Sequence, residues 1–150
     1  MTGPRLQVAS FADLTTDQLY ALLRLRVDVF VVEQTCPYPE LDGRDQEPGT
    51  EHLWWEVDGQ VAAYLRVLQD PDGAVIGRVV TAPAHRGQGY AARLVRRALE
   101  RIGARRTRIG AQTYLEQWYG ALGFRRCGPD YVEDGIPHLP MVRESPGAQE

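Results

Sequence analysis

Hydrophobic and polar residues form short blocks along the N-terminal third of the chain, and the spacing within each block predicts its structure. A first strand is predicted around Leu6 and Val8. Apolar residues with helical spacing follow between positions 19 and 27, behind a cap at Thr15 or Thr16. The apolar segment 29–39 continues from this helix until two prolines stop it.

The central third of the chain has the pattern of three consecutive antiparallel strands. Residues 52–57 and 61–68 are joined by Asp58-Gly59, a dipeptide that favours a two-residue hairpin turn. A second turn leads into an apolar strand over residues 75–80. After a glycine-rich segment the helical spacing resumes, with apolar residues at positions 91, 94, 95, 98, 99 and 102.

The C-terminal third predicts another strand, a helix and a closing hairpin. Residues 106–111 form a strand that the handedness of strand–helix–strand connections makes parallel to strand 75–80. The remaining predicted elements are a helix over 114–122 ending at Gly123, a strand from Phe124, a turn at 133–135 and a strand over 138–142. The chain therefore predicts one domain over residues 5–143, followed by a flexible tail over 144–150.

Composition narrows the class of protein. The 150 residues carry a net charge of −3, so the chain as a whole presents no basic field for nucleic acid. The sequence has no apolar run long enough to span a bilayer and no secretory signal pattern, which predicts a cytoplasmic protein without a membrane partner. Cys36 and Cys127 lie far apart and lack metal-ligand spacing, so reduced thiols and no metal site are expected.

The glycine-rich segment 86–91 lies between a predicted strand and a predicted helix. Gly87 and Gly89 leave the first backbone N–H groups of the helix unblocked, and the helix dipole adds partial positive charge there, so a phosphate group can bind. The segment fits a dinucleotide-binding fingerprint poorly, because a connector separates the strand from Gly87 and the next strand ends in Ala111-Gln112 rather than an acid. A P-loop is excluded because the chain has no lysine. A glycine-rich turn without a ligand is the structural alternative.

The pattern Arg86-x-x-Gly89-x-Ala91 resembles the pyrophosphate-binding signature of GNAT-superfamily N-acetyltransferases. Ala91 replaces the second small glycine of many relatives. Further segments resemble the ElaA-like branch of this superfamily: 29–34, 36–40, 42–45, 77–80, 111–112, 118–119, 122–124 and 133–138. The resemblance implies an α+β GNAT (acyl-CoA N-acyltransferase) fold, with a mixed, mostly antiparallel central sheet flanked by helices.

The resemblance also implies a reaction, in which an acetyl group passes from acetyl-CoA to a primary amine by direct attack. Val79, Val80 and Thr81 would present backbone groups to the pantetheine arm, and an N–H near Val80 would stabilise the oxyanion. Gln112 stands where many acetyltransferases carry Asn and is a further candidate cofactor contact. The candidate pyrophosphate contacts are Arg86, Gly87, Gln88, Gly89, Tyr90 and Ala91.

Two catalytic roles are assigned to candidate residues. Tyr119 is the candidate general acid that protonates the departing sulfur, and the alternative is a buried helix aromatic. Glu33 is the first candidate for the general base, followed by Glu133, Asp134 and His138. Each of these four residues could equally be structural.

The acceptor is expected to be a small-molecule or peptide amine. Tyr38, Trp54 and Trp55 are candidates for the acceptor pocket, although adjacent tryptophans on a strand point to opposite faces. The acid-rich stretch 40–51 is usually explained as solvated surface, but here it would favour a cationic amine. Two rival functions remain open, namely an idle acyl-CoA-binding regulatory domain and a structural module that forms a homodimer through an exposed sheet edge.

Overall fold

In the computed structural model, which describes residues 3–144, eight strands form one mixed sheet. The strands are β1 (Arg5–Ser10), β2 (Glu51–Val57), β3 (Gln60–Asp70), β4 (Gly73–Thr81), β5 (Thr107–Gln112), β6 (Arg125–Arg126), β7 (Tyr131–Glu133) and β8 (Ile136–Arg143). Their order is β1-β2-β3-β4-β5-β8-β6, with β7 paired to β8. Only β4 and β5 pair in parallel, as the crossover rule predicts, and the other pairs are antiparallel.

Three α-helices connect and cover this sheet within the described residues: α1 (Thr16–Arg26), α2 (Tyr90–Ile102) and α3 (Glu116–Gly120). None of the helices in this part of the chain combines the length and the hydropathy needed to cross a membrane. Residues 145–150 of the predicted tail lie outside the described residues. Glu144, the first tail residue, forms ion pairs with Arg106 and Arg125. The predicted pairing of an edge strand with a second copy stays a prediction.

Local sequence signals account for most element boundaries. The predicted Asp58-Gly59 hairpin is confirmed, and both residues have positive φ, 50° and 78°, as this two-residue turn requires. Thr15 caps α1 through a reciprocal capping box with Gln18.

Two helical boundaries differ from the sequence prediction. The apolar segment after α1 does not continue to the prolines, because a π-helical segment (Val27–Glu33) ends first and Thr35 then takes a φ of 49°. The predicted helix over 114–122 is shorter, since a 3-10 turn (Thr113–Leu115) precedes α3.

The two faces of the sheet bury separate apolar clusters. On one face, α2 buries Leu94, Val95, Ala98 and Leu99 against strands that include Trp55. On the other face, α1 and the π-helical segment contribute Leu22 and Val29 to a second cluster. The strand residues of this cluster are Trp54, Tyr64 and Val80. The adjacent tryptophans therefore lie on opposite faces, as strand geometry predicts.

The sheet opens between its two central strands. β4 and β5 pair at only two positions, Ala74 with Thr107 and Val75 with Arg108. The register of β4 against β3 also shifts between Tyr64 and Arg66, where β4 contributes one extra residue. Arg78 lies in this bulge and has a φ of 53°, which is unusual for a residue with a side chain.

A buried network of charges holds the loop after the π-helical segment against the sheet. Arg26 is 1% exposed, and its Nε lies 2.7 Å from Glu40 Oε2 while Nη1 lies 2.8 Å from Asp45 Oδ1. The expectation that stretch 40–51 is solvated surface is therefore wrong for Glu40 and Asp45. We call this set the arginine network, and its members are Arg26, Arg66, Arg78, Glu40, Asp42 and Asp45.

The remaining arginines of this network bind the same loop from β3 and β4. Arg66 donates two hydrogen bonds to Asp42, of 2.9 Å and 2.6 Å, and a third of 3.0 Å to Asp45. Arg78 donates from Nε to Glu40 Oε2 at 2.8 Å and from Nη2 to the Glu40 carbonyl at 3.0 Å. The three carboxylates therefore meet three guanidinium groups that are distant in sequence.

His52 and Tyr64 complete the floor of the arginine network. His52 Nε2 lies 3.1 Å from the Asp45 carbonyl, which can only accept, so Nε2 carries the proton and Nδ1 accepts from the Tyr64 hydroxyl at 2.7 Å. Burial lowers the pKa of His52, although the Asp45 carbonyl and carboxylate oppose this effect. His52 therefore stays neutral and connects β2 to the loop through its hydrogen bond with the Asp45 carbonyl.

Removing one charge from the arginine network should destabilise the fold strongly. In Asp45→Asn, Arg26 and Arg66 stay buried with one carboxylate fewer, a change that typically costs ~3–5 kcal/mol of unfolding free energy. The control is Asp72→Asn, because the Asp72 side chain is 57% exposed and forms a surface ion pair with Arg108. Loss of such a pair costs only ~0–1 kcal/mol of unfolding free energy. Urea unfolding at pH 7, followed by tryptophan fluorescence, measures both values. Equal stability of the two variants would contradict the assignment.

The stabilities of wild type and Asp45→Asn should converge in acid. Burial alone would raise the pKa of Asp45, but hydrogen bonds and charge from Arg26 and Arg66 outweigh burial and lower it. A carboxylate with a lowered folded pKa stabilises the protein above the unfolded value of ~3.9, and this contribution is lost as the pH falls through the folded pKa. The stability difference between wild type and Asp45→Asn should therefore shrink below about pH 4, and a constant difference from pH 7 to pH 2 would count against it.

Candidate active site

Two cavities open on either side of the gap between β4 and β5. The first, which we call the loop cavity, has a volume of about 550 Å³ and is bordered by the glycine-rich segment and the start of α2. The second, which we call the trough, has a volume of about 490 Å³ and lies on the α1 face of the sheet. Six residues line both cavities and so mark where they meet: Phe30, Gln34, Val79, Gln112, Leu115 and Tyr119.

The glycine-rich segment forms one end of the loop cavity. Gly87 and Gly89 have φ values of 77° and 80°, which residues with side chains rarely adopt. Gly89 is the N-cap of α2 and has no side-chain capping bond, so the first N–H groups of the helix stay available. Added Cβ atoms at Gly87 and Gly89 would meet no protein atom within 4 Å, which shows that the space beside them is open.

Arg93 orients this segment from within α2. Its guanidinium donates to the carbonyls of Gln88 and Gly89, at 3.2 Å and 3.4 Å, and lies 4.7 Å from the centre of the Tyr90 ring. Carbonyls held by Arg93 cannot point at an anion, so the segment presents N–H groups instead. The sequence analysis missed Arg93, although its spacing of four residues from Gly89 is a signal that could have identified it.

The predicted cofactor contacts come together around the loop cavity. All of them except Gln88 line it: Val79, Val80, Thr81, Arg86, Gly87, Gly89, Tyr90, Ala91 and Gln112. Gln88 is exposed, and its carbonyl is one of the two that Arg93 binds. The geometry thus fits a phosphate-bearing ligand, with backbone donors at one end and the open edge of β4 at the other.

Glu33, the first candidate base, also lies on the loop cavity. Its Oε1 is 2.9 Å from Arg86 Nη2, and both side chains are about half exposed, 46% and 44%. Arg86 additionally donates from Nε to the Thr81 carbonyl at 3.3 Å. Glu33 therefore lies at the end of the loop cavity that the glycine-rich segment forms, and its role as a base stays a prediction.

Tyr119, the candidate acid, lies where the two cavities meet. Its ring is 4% exposed and packs edge-on against Trp118 and Phe124. Burial, with a smaller contribution from the charge of Tyr114, raises the pKa of Tyr119 above its ordinary value, so the hydroxyl stays protonated at neutral pH. A buried phenol that reaches both cavities can donate a proton at their junction.

The trough has a floor of small and apolar residues and two polar walls. Gly77 and Gly110 have no side chains to fill the trough, and Leu68 and Val75 form the adjoining part of its floor. The first wall is the loop that the arginine network holds against the sheet, and Tyr38 belongs to this loop. The predicted contribution of Trp54 and Trp55 is wrong, because both are buried in the cores and neither lines either cavity.

The second wall is the hairpin of β7 and β8, which places three other candidate bases on the trough. Glu133, Asp134 and His138 all line it. His138 is 9% exposed, and its ring stacks on Tyr131 with centroids 5.6 Å apart. The Cys36 thiol donates to the Asp134 carbonyl at 3.2 Å and so joins the two walls.

Arg78 is a further residue that sequence reasoning missed. Its guanidinium lies 5.6 Å from the centre of the Tyr38 ring and binds Glu40, so it ties the β4 bulge to the first wall of the trough. No local signal marks this position, since the positive φ depends on the register of β4 against β3.

Both cysteines are free thiols, and within residues 3–144 no cluster of His, Cys, Asp and Glu could hold a metal ion.

Comparison with known proteins agrees with this architecture. The family model described as "Acetyltransferase (GNAT) domain" matches residues 13–145. A UPF0039 protein of Mycobacterium tuberculosis is 48% identical over 143 residues, which cover 92% of each chain. ElaA of Escherichia coli is 41% identical over 141 residues, covering 89% of this chain and 92% of ElaA.

Solved structures show the same fold. An acyl-CoA N-acyltransferase from Pseudomonas aeruginosa superposes with a TM-score of 0.89 at 44% identity, covering 94% of this chain and 99% of the other. The crystal structure of Escherichia coli ElaA also gives a TM-score of 0.89, at 37% identity, covering 95% of this chain and all (100%) of ElaA. The predicted acyl-CoA N-acyltransferase fold is thereby confirmed, and the chain belongs to the GNAT acetyltransferase family, among relatives that include ElaA.

Proposed function

We propose that this protein transfers an acetyl group from acetyl-CoA to the primary amine of a small molecule or peptide. The observation that carries the proposal is the meeting of two differently built cavities at Tyr119, between the diverging ends of β4 and β5. In the reaction the amine nitrogen bonds to the acetyl carbon and the carbon–sulfur bond breaks. The amine loses one proton and the sulfur gains one, so no covalent enzyme intermediate is needed.

The loop cavity supports the use of an acyl-CoA. Its backbone donors at Gly87 and Gly89, together with the uncapped start of α2, suit a pyrophosphate. The relative from Pseudomonas aeruginosa is described as an acyl-CoA N-acyltransferase, which agrees with this ligand class. Arg86 would exchange its bond with Glu33 for one with phosphate, a stronger partner for a guanidinium.

The open edge of β4 would hold the reacting end of the thioester. β4 pairs with β5 only as far as Val75, so on that edge the backbone groups of Val79 and Thr81 can face the ligand. Val80 lies between them and is paired with Tyr64 of β3. One N–H group aimed at the developing negative charge on the thioester oxygen is typically worth ~2.7–4 kcal/mol. Fixing the thioester and the amine together supplies up to ~7–11 kcal/mol more.

The glycine positions give a matched test of acyl-CoA binding. Gly87→Ala places a Cβ at a φ of 77° and should weaken acetyl-CoA binding by about 10-fold or more, because the backbone cradle is disturbed. The control is Gly59→Ala, which has a φ of 78° and equally open space but lies in the β2–β3 turn. Both substitutions should destabilise the fold by ~1–2 kcal/mol, and only Gly87→Ala should change the Kd measured by calorimetry. Unchanged affinity in Gly87→Ala would contradict the proposed pyrophosphate seat.

Tyr119 is proposed as the acid that protonates the departing sulfur. Tyr119→Phe should lower kcat by about 10- to 100-fold near pH 7 while acetyl-CoA affinity stays within about 2-fold. Because a thiol has a pKa of ~8.5, the defect should become smaller above that pH, where the thiolate leaves without a proton. Tyr114→Phe is the control, since Tyr114 borders the same cavity but is 75% exposed. Equal turnover of wild type and Tyr119→Phe at every pH would remove Tyr119 from the mechanism.

The activity itself is tested by two assays run together. Calorimetric titration with acetyl-CoA and CoA measures binding, and a free-thiol assay measures transfer to polyamines, amino acids and short peptides. Binding with acceptor-dependent thiol release is the expected result. Binding without release on any amine would favour an idle acyl-CoA-binding domain, and no binding would overturn the proposal.

A further inference from the structure

A transferase acting on a primary amine needs a group that removes a proton from the acceptor. An alkylammonium group with a pKa of ~10.4 is uncharged at pH 7 in only about one molecule in 2,500. The proton acceptor must reach the trough, where the amine would approach the thioester. The inference below rests on the proposed function and identifies this group.

Two carboxylates, Glu33 and Asp42, are poor candidates for the proton acceptor on geometric grounds. Glu33 borders the loop cavity and is paired with Arg86, on the side of the phosphate seat. On the first wall of the trough, Asp42 accepts two hydrogen bonds from Arg66 and lies 3.4 Å from Arg78. A carboxylate held by two guanidinium groups is a weak base, and the pKa of Asp42 is lowered chiefly by its hydrogen bond with Arg66.

His138 lines the trough, and of its two ring nitrogens only Nδ1 has a hydrogen-bond partner among the described residues. Its Nδ1 lies 2.7 Å from the Ile136 carbonyl, which can only accept, so the neutral ring carries its proton on Nδ1. Nε2 is therefore the basic nitrogen. Since His138 lines the trough and is paired in register with Gln112, which lies where the two cavities meet, this nitrogen is near the place of attack.

The groups that surround His138 are one nearby carboxylate, an aromatic ring and arginines that are already paired. Glu133 Oε2 lies 3.8 Å from Nε2, and the Tyr131 ring stacks on the imidazole at an interplanar angle of 22°. Across the trough, Arg66 and Arg78 are neutralised by the carboxylates of the first wall. The arginines on the strands beside β8 are also paired, Arg108 with Asp70 and Asp72, Arg125 with Glu144, and Arg126 with Glu116 and Asp130.

The hairpin that carries His138 is held in place from both sides. The Tyr131 hydroxyl lies directly over Gly110, where an added Cβ would come within 2.5 Å of it. The Asp134 carbonyl accepts from the buried Cys36 thiol. These contacts fix the distance between the imidazole and the floor of the trough. A base on a free loop would not be held at a fixed distance.

We propose that His138 is the catalytic base of the reaction and that Glu133 positions and stabilises its imidazolium form. Nε2 takes one proton from the acceptor ammonium, and the amine then forms the bond to the acetyl carbon. As the carbon–sulfur bond breaks, Tyr119 donates its proton to the sulfur, and the second proton of the attacking nitrogen restores the Tyr119 hydroxyl. His138 returns its proton to water. The net reaction is one ammonium and one thioester giving one amide, one thiol and one released proton.

His138→Asn separates the base from its structural contact. The asparagine amide nitrogen can replace Nδ1 as the donor to the Ile136 carbonyl, but the side chain has no basic nitrogen. In this variant kcat/KM for the best amine of the panel should fall by about 100-fold at pH 7, with acetyl-CoA affinity unchanged within about 2-fold. In wild type kcat/KM should rise with pH as the base loses its proton, and His138→Asn should lack this limb.

Two further variants distinguish proton transfer from packing. His138→Ala should regain part of its activity when imidazole is added, and a merely structural defect would not respond. Glu133→Gln should lower kcat/KM at pH 7 by less than His138→Asn does, because the imidazole keeps its basic nitrogen and loses only the carboxylate that lies 3.8 Å from Nε2.

The outcomes separate this inference from the activity on which it rests. If wild type transfers acetyl groups and His138→Asn matches it at all pH values, the base assignment is overturned and the transferase stands. If activity falls but imidazole restores none of it and the pH limb persists, His138 is structural and the assignment is again overturned. If wild type acetylates no amine in the panel, both proposals fail together.

Discussion

The short parallel pairing of β4 and β5 is the constraint on which the rest of this structure depends. Two paired positions hold the strands together at one end, and beyond Val75 and Arg108 they separate. The separation leaves backbone groups of β4 without a neighbouring strand, and buried backbone groups need partners. A ligand that inserts between the strands can supply them. Both cavities, and the position of Tyr119 between them, follow from this single gap in the sheet.

The parts of the fold that local chemistry determines could be predicted from the sequence. Asp58-Gly59 specifies its turn because both residues tolerate positive φ, and the apolar stripe of α2 specifies the face that it buries. Gly87 and Gly89 predicted the open start of α2 for the same local reason, since a helix start without side chains exposes its own N–H groups. In each case the residues that determine the feature lie within a few positions of one another.

The acceptor side of the site could not be predicted in the same way. In the sequence, stretch 40–51 looks like an acidic surface opposed only by Arg44, because the arginines that neutralise its other carboxylates come from α1, β3 and β4. Their pairing depends on the register of the sheet and on the bulge at Arg78, which no local pattern records. The tryptophan pair was misassigned for a related reason: large aromatic side chains suit a core as well as a pocket, and burial decides between them only after folding.

This division between backbone and side chains has a consequence for specificity. The loop cavity is bordered by β4 and by the glycine-rich start of α2, whose main-chain groups would, in the proposed function, recognise features common to any coenzyme A thioester. The trough is built from side chains on two walls, and the arginine network neutralises the carboxylates of the first wall. The carboxylates left to meet an acceptor are therefore those of the second wall, Glu133 and Asp134, next to His138. If His138 is the base, as proposed, a cationic amine would be selected by the same hairpin that removes its proton, and recognition and activation of the acceptor would depend on one short segment of the chain.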